Sequence, residues 1–378
     1  MRFLSIISTL AILLLGLQSC KKELPTHPEE QPKFRTVIAY LAANNSLINE
    51  AYENINQMEA AIGNVDGDLI VYARLQGTNP ALYRITPDQT PDIRSQKIKE
   101  YAPHNSSDPT VMKQVIADIQ AAYPAQTYGL ILWSHATGWI PPNHGGVKVK
   151  SFGDDNGSTM DIKHLKQALP DNLDFIMFDA CSMASVEVLY EIKEKAKYFI
   201  SSPGEVISNG MPYNKITNDL FHISPESYQM IAQKYYEHYN SKSGLFRSAT
   251  ISIIDGLQLA TLATTSQQLL KAYSSPFPNL QRNNIQRMDF DRIGNPLIAF
   301  DFEDFFFQNF GPVITQPLSQ QLARTVIFKA NTPSFNGYEI KKNGGLTCYI
   351  PHPDNDGPLH DYYRTLQWYS ASGFDRLF

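Results

Sequence analysis

The chain has 378 residues, of which 43% are hydrophobic and 18% charged, with a formal net charge of −5. That length holds one large α/β domain or two smaller ones with ample core, and the acidic balance argues against nucleic acid as the main partner. After the first twenty residues, no apolar run reaches the roughly 18 residues that a membrane span needs.

In chain order, Met1-Arg2 precedes an apolar run from Phe3 to Leu17, so residues 1–20 read as a secretory signal outside the fold. The run ends in Leu17-Gln18-Ser19-Cys20, which resembles a bacterial lipobox. That resemblance implies a lipid on Cys20 and an exported protein anchored in the bacterial cell envelope. Gln18 stands where a small residue is more usual, and a plain signal peptide is the alternative. Residues 21–33 are Pro-rich and polar, as expected of a flexible tether.

From residue 34 the pattern alternates between strand and helix. Thr36–Leu41 reads as a strand, and Ile48, Ala51, Ile55, Met58 and Ile62 mark a helix over Ser46–Ile62. Asp68–Leu75 is the next strand, followed by a polar, hairpin-like region to Tyr101. Asp108-Pro109 is a good cap and first-turn pair for a helix presenting Met112, Val115, Ile119 and Ala122. Two apolar runs, Tyr128–Ser134 and Leu173–Phe178, then flank a long loop and a helix over Ile162–Leu169. A helix with Met183, Val186, Leu189, Ile192 and Ala196 and a strand at Tyr198–Ser201 complete the repeat. Such repetition predicts a mostly parallel, doubly wound sheet over residues 34–247. Residues 248–378 read as a subdomain or an elaboration of that sheet. They offer a strand at Thr250–Ile254, a helix at Leu257–Tyr273, a turn-rich aromatic stretch and a late strand at Leu346–Ile350.

The two apolar runs deliver His135 and Asp179-Ala180-Cys181. Chemistry in open α/β sheets sits beyond the carboxyl ends of the strands, so these side chains can meet as a cysteine nucleophile and its histidine base. A strand-to-helix junction at Cys181 would add a helix dipole favouring thiolate. A buried structural cysteine and an internally bonded histidine would give the same spacing. Cysteine usage favours the first reading. The only others are Cys20 and Cys348, and Cys348 sits in a strand-like run where a cysteine serves as a small hydrophobe.

His135-Ala-Thr-Gly138-Trp139 after one strand, with Asp179-Ala-Cys181-Ser-Met183-Ala-Ser-Val-Glu187-Val after another, resembles the clostripain family of cysteine peptidases. The family shares its fold with caspases, legumains and gingipains. Phe152–Gly157, Tyr198–Gly204, the strand ending at Ile254 and Gly345–Pro351 fall in the family's order. The resemblance implies a caspase-like three-layer α-β-α sandwich with a C-terminal elaboration, acting on protein or peptide substrates. It makes His135 and Cys181 the catalytic pair and forms the oxyanion hole from backbone N–H groups at Ala136 and Cys181. Asp179 would then bind a P1 Arg or Lys, the alternative being a helix cap. It also implies self-cleavage after Lys148 or Lys150, in a loop whose other reading is an uncut surface segment.

Two departures bear on these expectations. Many members carry Gly directly after the histidine, so Ala136 would be strained if that position needs φ > 0. Ser202-Pro203 and Asn209–Tyr213 stand where basic-specific members often carry Ser-Glu and a second acidic residue. The runner-up is a catalytically degenerate homologue that binds peptides or envelope partners. Asp154-Asp155-Asn156-Gly157 lacks the spacing of a calcium loop and reads as a turn, and His144 reads as a loop histidine. No cofactor or metal is expected, calcium being left open but not indicated by the sequence.

Overall fold

Every residue from Val37 to Ala43 is fully buried, as a strand covered on both faces requires. The computed structural model describes residues 32–142, 151–272, 280–290, 298–351 and 357–378, and this segment is its centre. It belongs to β1 (Lys33–Ala43), followed by α1 (Ile48–Ala61), β2 (Gly67–Leu75), β3 (Ala81–Arg84), β4 (Gln96–Glu100) and α2 (Pro109–Ala122). Next come β5 (Ala125–Trp133), β6 (Phe152–Asp155), β7 (Ser158–Met160), α3 (Ile162–Ala168), β8 (Leu173–Asp179), α4 (Val186–Glu191) and β9 (Ala196–Ser201). Then follow α5 (Tyr213–Ile216), α6 (Pro225–Asn240), β10 (Thr250–Asp255), α7 (Leu259–Ala272), β11 (Phe300–Asp301) and α8 (Phe302–Phe310). The chain closes with α9 (Pro312–Thr325), β12 (Val326–Asn331), β13 (Ser334–Phe335), β14 (Tyr338–Glu339), β15 (Thr347–Cys348), α10 (Gly357–Tyr363) and α11 (Gln367–Ala371).

The main sheet has nine strands in the order β12-β10-β9-β8-β5-β1-β2-β3-β4. Pairing is parallel from β9 through β2 and antiparallel at both ends. Alternate residues of β1 point to opposite layers. Val37, Ala39 and Leu41 pack with Ile55 and Met58 of α1 and with Ile231 and Tyr235 of α6. Ile38, Tyr40 and Ala42 pack with Met112 and Ile116 of α2, Leu165 of α3 and Leu189 of α4. Helices thus cover both faces, giving the expected three-layer α-β-α sandwich. After β1 the chain first adds β2 on one side and then β5 on the other. The direction of winding therefore reverses between β1 and β5, where a crevice opens at the carboxyl ends.

The later chain elaborates the main sheet, one of the two readings of residues 248–378, and departs from the sequence pattern in its details. β10 and β12 continue the main sheet, and Lys33–Phe378 forms one compact unit. The aromatic stretch is largely the helix α8, capped by the Asp301 carboxylate accepting from Asp304 N–H at 2.9 Å. The late strand shrinks to β15, which pairs with β11 outside the main sheet. Cys348 in β15 is fully buried, and burial pushes its thiol pKa well up. The helix expected to run on to Ala196 stops at Glu191, and Ala196 opens β9.

One buried ion pair ties the amino ends of the central strands together. The Arg35 guanidinium on β1 meets Asp174 on β8 with both side chains essentially unexposed. It also donates to Leu220 O at 2.8 Å and His222 O at 3.0 Å, and the Tyr228 hydroxyl donates to Asp174 at 2.7 Å. Removing Arg35 leaves the buried Asp174 carboxylate with only the exposed Lys197 Nζ, at 3.2 Å, as a cationic partner. Arg35→Ala is expected to lower unfolding free energy by about 3 kcal/mol or more, measured by denaturant titration. A loss under about 1 kcal/mol would mean that Asp174 is not held by this cation.

Candidate active site

β5 and β8 are adjacent and parallel, with Trp133 opposite Asp179 in the register. Ser134-His135 and Ala180-Cys181 therefore leave the same edge of the sheet side by side. Both side chains are half-buried and line one cavity of about 170 Å³, together with Leu47, Asp179, Val206 and Gly210. A histidine and a thiol at such a place can transfer a proton and attack a carbonyl.

The backbone around Cys181 is sharply turned. Ser182 has φ 59°, and its N–H donates to Gly204 O at 2.8 Å, while Ala184 N–H donates to Ser202 O at 2.9 Å. Helix α4 begins only at Val186, where the Ser185 hydroxyl accepts from Val188 N–H at 3.2 Å. The expected helix dipole at Cys181 is therefore corrected: the N–H groups of Ser182 and Ala184 are already bonded, and the helix is short and starts five residues on. A backbone group takes that place. Val206 N–H lies 3.3 Å from the Cys181 sulfur, and the thiol faces Val206 O at 3.5 Å.

Ala136 forms an isolated antiparallel bridge with Phe152. Its bonds run from Gly153 N–H to His135 O at 3.0 Å and from Thr137 N–H to Ser151 O at 3.3 Å. Ala136 thus contributes neither its N–H nor its carbonyl to the bridge. It is absent from the residues with positive φ, so the strain expected of Ala at this position does not arise. Glycine is instead required at Gly138, with φ 71°, where a Cβ would lie 2.9 Å from Ser182 O. This close approach packs the histidine-bearing segment against the cysteine-bearing one.

Asp179 ends β8, 4% exposed. Its Oδ2 accepts from Met211 N–H at 3.0 Å and from the Tyr213 hydroxyl at 2.9 Å. Burial pushes its pKa up to about 6, against the opposing effect of the two donors. Gly210, with φ 67°, lies over the carboxylate, and a Cβ there would sit 2.6 Å from Oδ2. Asp179 is not a helix cap, because α4 is capped by Ser185.

Residues that spacing did not single out complete the surroundings. The Ser46 hydroxyl lies 3.0 Å from His135 Nε2, and Met211 and Tyr213 support Asp179. Only Ser46 had a usable signal, as a polar residue just past the carboxyl end of a central strand. Asp154–Gly157 forms the turn between β6 and β7, with Gly157 N–H on Asp154 Oδ1 at 2.7 Å. Among the described residues, no three His, Cys, Asp or Glu side chains gather to hold a metal ion. The proposed lipid site Cys20, the loop residue His144 and the cleavage candidates Lys148 and Lys150 lie outside the described residues.

The Peptidase C11 (clostripain family) model matches residues 39–368. Comparison with the curated proteins finds no match. Among solved structures, a secreted C11 cysteine protease from Bacteroides thetaiotaomicron, in complex with an irreversible peptide inhibitor, is 30% identical. The match covers 91% of this chain and 100% of that one, with a TM-score of 0.78. An inactive zymogen C11 protease from Parabacteroides distasonis is also 30% identical, over 90% of this chain and 98% of that one, with a TM-score of 0.79. A second secreted C11 protease from Bacteroides thetaiotaomicron, iotapain, is 25% identical over 90% and 99% of the two chains, with a TM-score of 0.77. The sandwich is thus of the caspase-like kind found in these proteases, and the chain belongs to the clostripain family of cysteine peptidases, hydrolases of protein and peptide substrates.

Proposed function

We propose that this peptidase is an endopeptidase working through a Cys181–His135 dyad, with Asp179 selecting Arg or Lys at P1. The observation that carries the reading is the single cavity lined by all three side chains at the ends of β5 and β8. His135 takes the thiol proton as the sulfur attacks the scissile carbonyl carbon, forming the C–S bond. N–H groups at Ala136 and Cys181 receive the developing oxyanion. His135 then gives its proton to the departing amine as the C–N bond breaks, leaving a thioester. Water, deprotonated by His135, attacks the thioester, and the sulfur leaves with the proton returned. No cofactor or metal enters these steps.

The specificity rests on desolvation. A carboxylate with two donors and, among the described residues, no ion-pair partner, 4% exposed in a cavity wall, gains most from a cationic partner that arrives with the substrate. Fluorogenic peptides differing only at P1 test this reading. Arg and Lys substrates should be cleaved well ahead of neutral ones, with Cys181→Ala and His135→Ala reduced by at least about a thousandfold. Strong cleavage after neutral residues by the unaltered enzyme would remove the Asp179 assignment, and full activity of Cys181→Ala would remove the dyad.

Asp179 also makes a pH prediction with a definite sign. Its folded pKa, about 6, lies above the usual 3.8, so the fold favours the neutral acid. Stability from this group is complete below the usual value and is lost as pH rises through about 6. Asp179→Asn keeps an acceptor for Met211 and Tyr213 while removing the buried charge. It should melt no lower than the parent at pH 8 and lose most of its preference for Arg and Lys. In the parent, kcat/KM for those substrates should fall as pH drops through about 6, with neutral-P1 substrates spared. A variant that melts well below the parent and keeps the preference would contradict this.

Export with a lipid on Cys20 fits the apolar run ending at Leu17-Gln18-Ser19-Cys20, and activation by cleavage after Lys148 or Lys150 fits the anchoring of the flanking chain. The Ser151 hydroxyl bonds Ile140 O, and Ala136 bridges Phe152, so both sides of a cut there stay attached to the sheet. Intact mass of membrane-extracted protein should show loss of residues 1–19, a lipidated Cys20 and two associated chains. The Cys181→Ala variant should remain uncut. A single-chain active enzyme, or a cut persisting in the alanine variant, would refute self-cleavage, and an unlipidated Cys20 would refute the anchor.

A further inference from the structure

The loop that leaves β1 reaches the histidine of the proposed dyad from the far side of the crevice. Ser46 Oγ lies 3.0 Å from His135 Nε2. The loop is braced by the β6–β7 hairpin, whose Asp154-Asp155 pair has no assigned role in the peptidase reaction. Asn44 Nδ2 donates to Asp155 Oδ1 at 2.5 Å, Asn45 Nδ2 to Asp154 O at 2.7 Å, and Asn156 N–H to Asn44 O at 2.9 Å. Leu47 N–H closes the turn onto Asn45 Oδ1 at 2.9 Å. Asp155 is itself fixed by the Ser106 N–H at 2.6 Å and hydroxyl at 2.9 Å, with Arg74 Nε at 3.4 Å. The hydroxyl is therefore held by a chain of side-chain and backbone bonds, although Ser46 itself is exposed.

We propose that Ser46 is a positioning residue that fixes the His135 tautomer, with Nε2–H donating to its hydroxyl and Nδ1 exchanging the proton with Cys181. The proposal rests on the dyad reading above. A neutral imidazole carries one N–H, and the bond made by one nitrogen decides which nitrogen is the base. A hydroxyl accepting from Nε2–H serves both states of the ring. It selects the neutral tautomer with a lone pair on Nδ1, and it favours the imidazolium once the thiol proton has arrived. The other titratable side chains lining the cavity with His135 are Cys181 and Asp179, and a change at Ser46 leaves both in place. The hairpin's part in this arrangement is to keep the β1 loop from swinging away from the crevice.

The test compares Ser46→Ala and Ser46→Thr with the parent and Cys181→Ala on one peptide substrate across pH. Ser46 is exposed, so melting temperatures should stay with the parent. Ser46→Ala should lose about tenfold in kcat with KM little changed. The alkaline limb of its pH profile, which reports loss of the imidazolium proton from the pair, should move down by about half a unit. Ser46→Thr, which keeps the hydroxyl, should recover most of the rate and the limb. Unchanged kcat and limb in Ser46→Ala overturn the proposal, as does an equal loss in Ser46→Thr, which would mean that loop packing alone matters. A dead Cys181→Ala beside an unaltered Ser46→Ala removes Ser46 and leaves the dyad. A fully active Cys181→Ala removes both.

Discussion

The site depends on the parallel register between β5 and β8. Because Trp133 stands opposite Asp179, the residues that follow, on two strands separated by a hairpin and a helix in sequence, emerge at one level. A slip of one residue would turn every alternate side chain to the other layer, and the cost of that slip is set by burial. Leu130–Leu132 and Phe175–Phe178 are fully buried, packed into separate clusters on the two faces. The ladder also extends past the strands: Ser134 N–H reaches Asp179 O at 3.4 Å, and the Ser134 hydroxyl donates to Ala42 O at 2.7 Å. The proposed dyad therefore rests on rigid strand ends, and the loops add contacts around them.

Around that rigid base, the site holds features that work against stability. Ser182 adopts a left-handed conformation right after Cys181, costing on the order of 1–3 kcal/mol unless neighbours hold it. Its N–H bond to Gly204 and the close fit of Gly138 supply that constraint. Keeping Asp179 ionised above its raised pKa of about 6 costs roughly 3 kcal/mol relative to an ordinary carboxylate. Both features stand within two residues of Cys181. Strain and a desolvated charge at a reactive centre are expected where the substrate, once bound, supplies the missing partner.

Much of the parallel core was legible because its strands are short apolar runs between polar turns, and their ends point to His135 and Cys181 without further information. The helix after Cys181 was overread for a specific reason. Met183, Val186, Leu189 and Ile192 have helical spacing, yet the turn at Ser182 and the cap at Ser185 delay the helix, leaving Met183 and Ala184 ahead of it, with Ala184 N–H bonded to Ser202 O. β12 escaped notice because it is an edge strand with little buried surface beyond Val326, and so it lacks a clean alternation. The supports of Asp179 at Met211 and Tyr213 come from the end of a loop and the first residue of α5, with the Tyr239 hydroxyl of α6 donating to Gly210 O of that loop at 2.5 Å. Local pattern carries no signal for such long-range approaches.

The central claim is that Cys181, and not the other thiol, is the group that attacks substrate. Cys348 is a useful internal control, since it is fully buried with a raised pKa. Treatment with a peptide carrying Arg at P1 and a thiol-reactive carbonyl warhead, followed by peptide mapping by mass, tests the claim most directly. The account predicts one adduct per chain, on Cys181, blocked by competing substrate and abolished by His135→Ala. An adduct on Cys348, or inactivation without modification of Cys181, would contradict it.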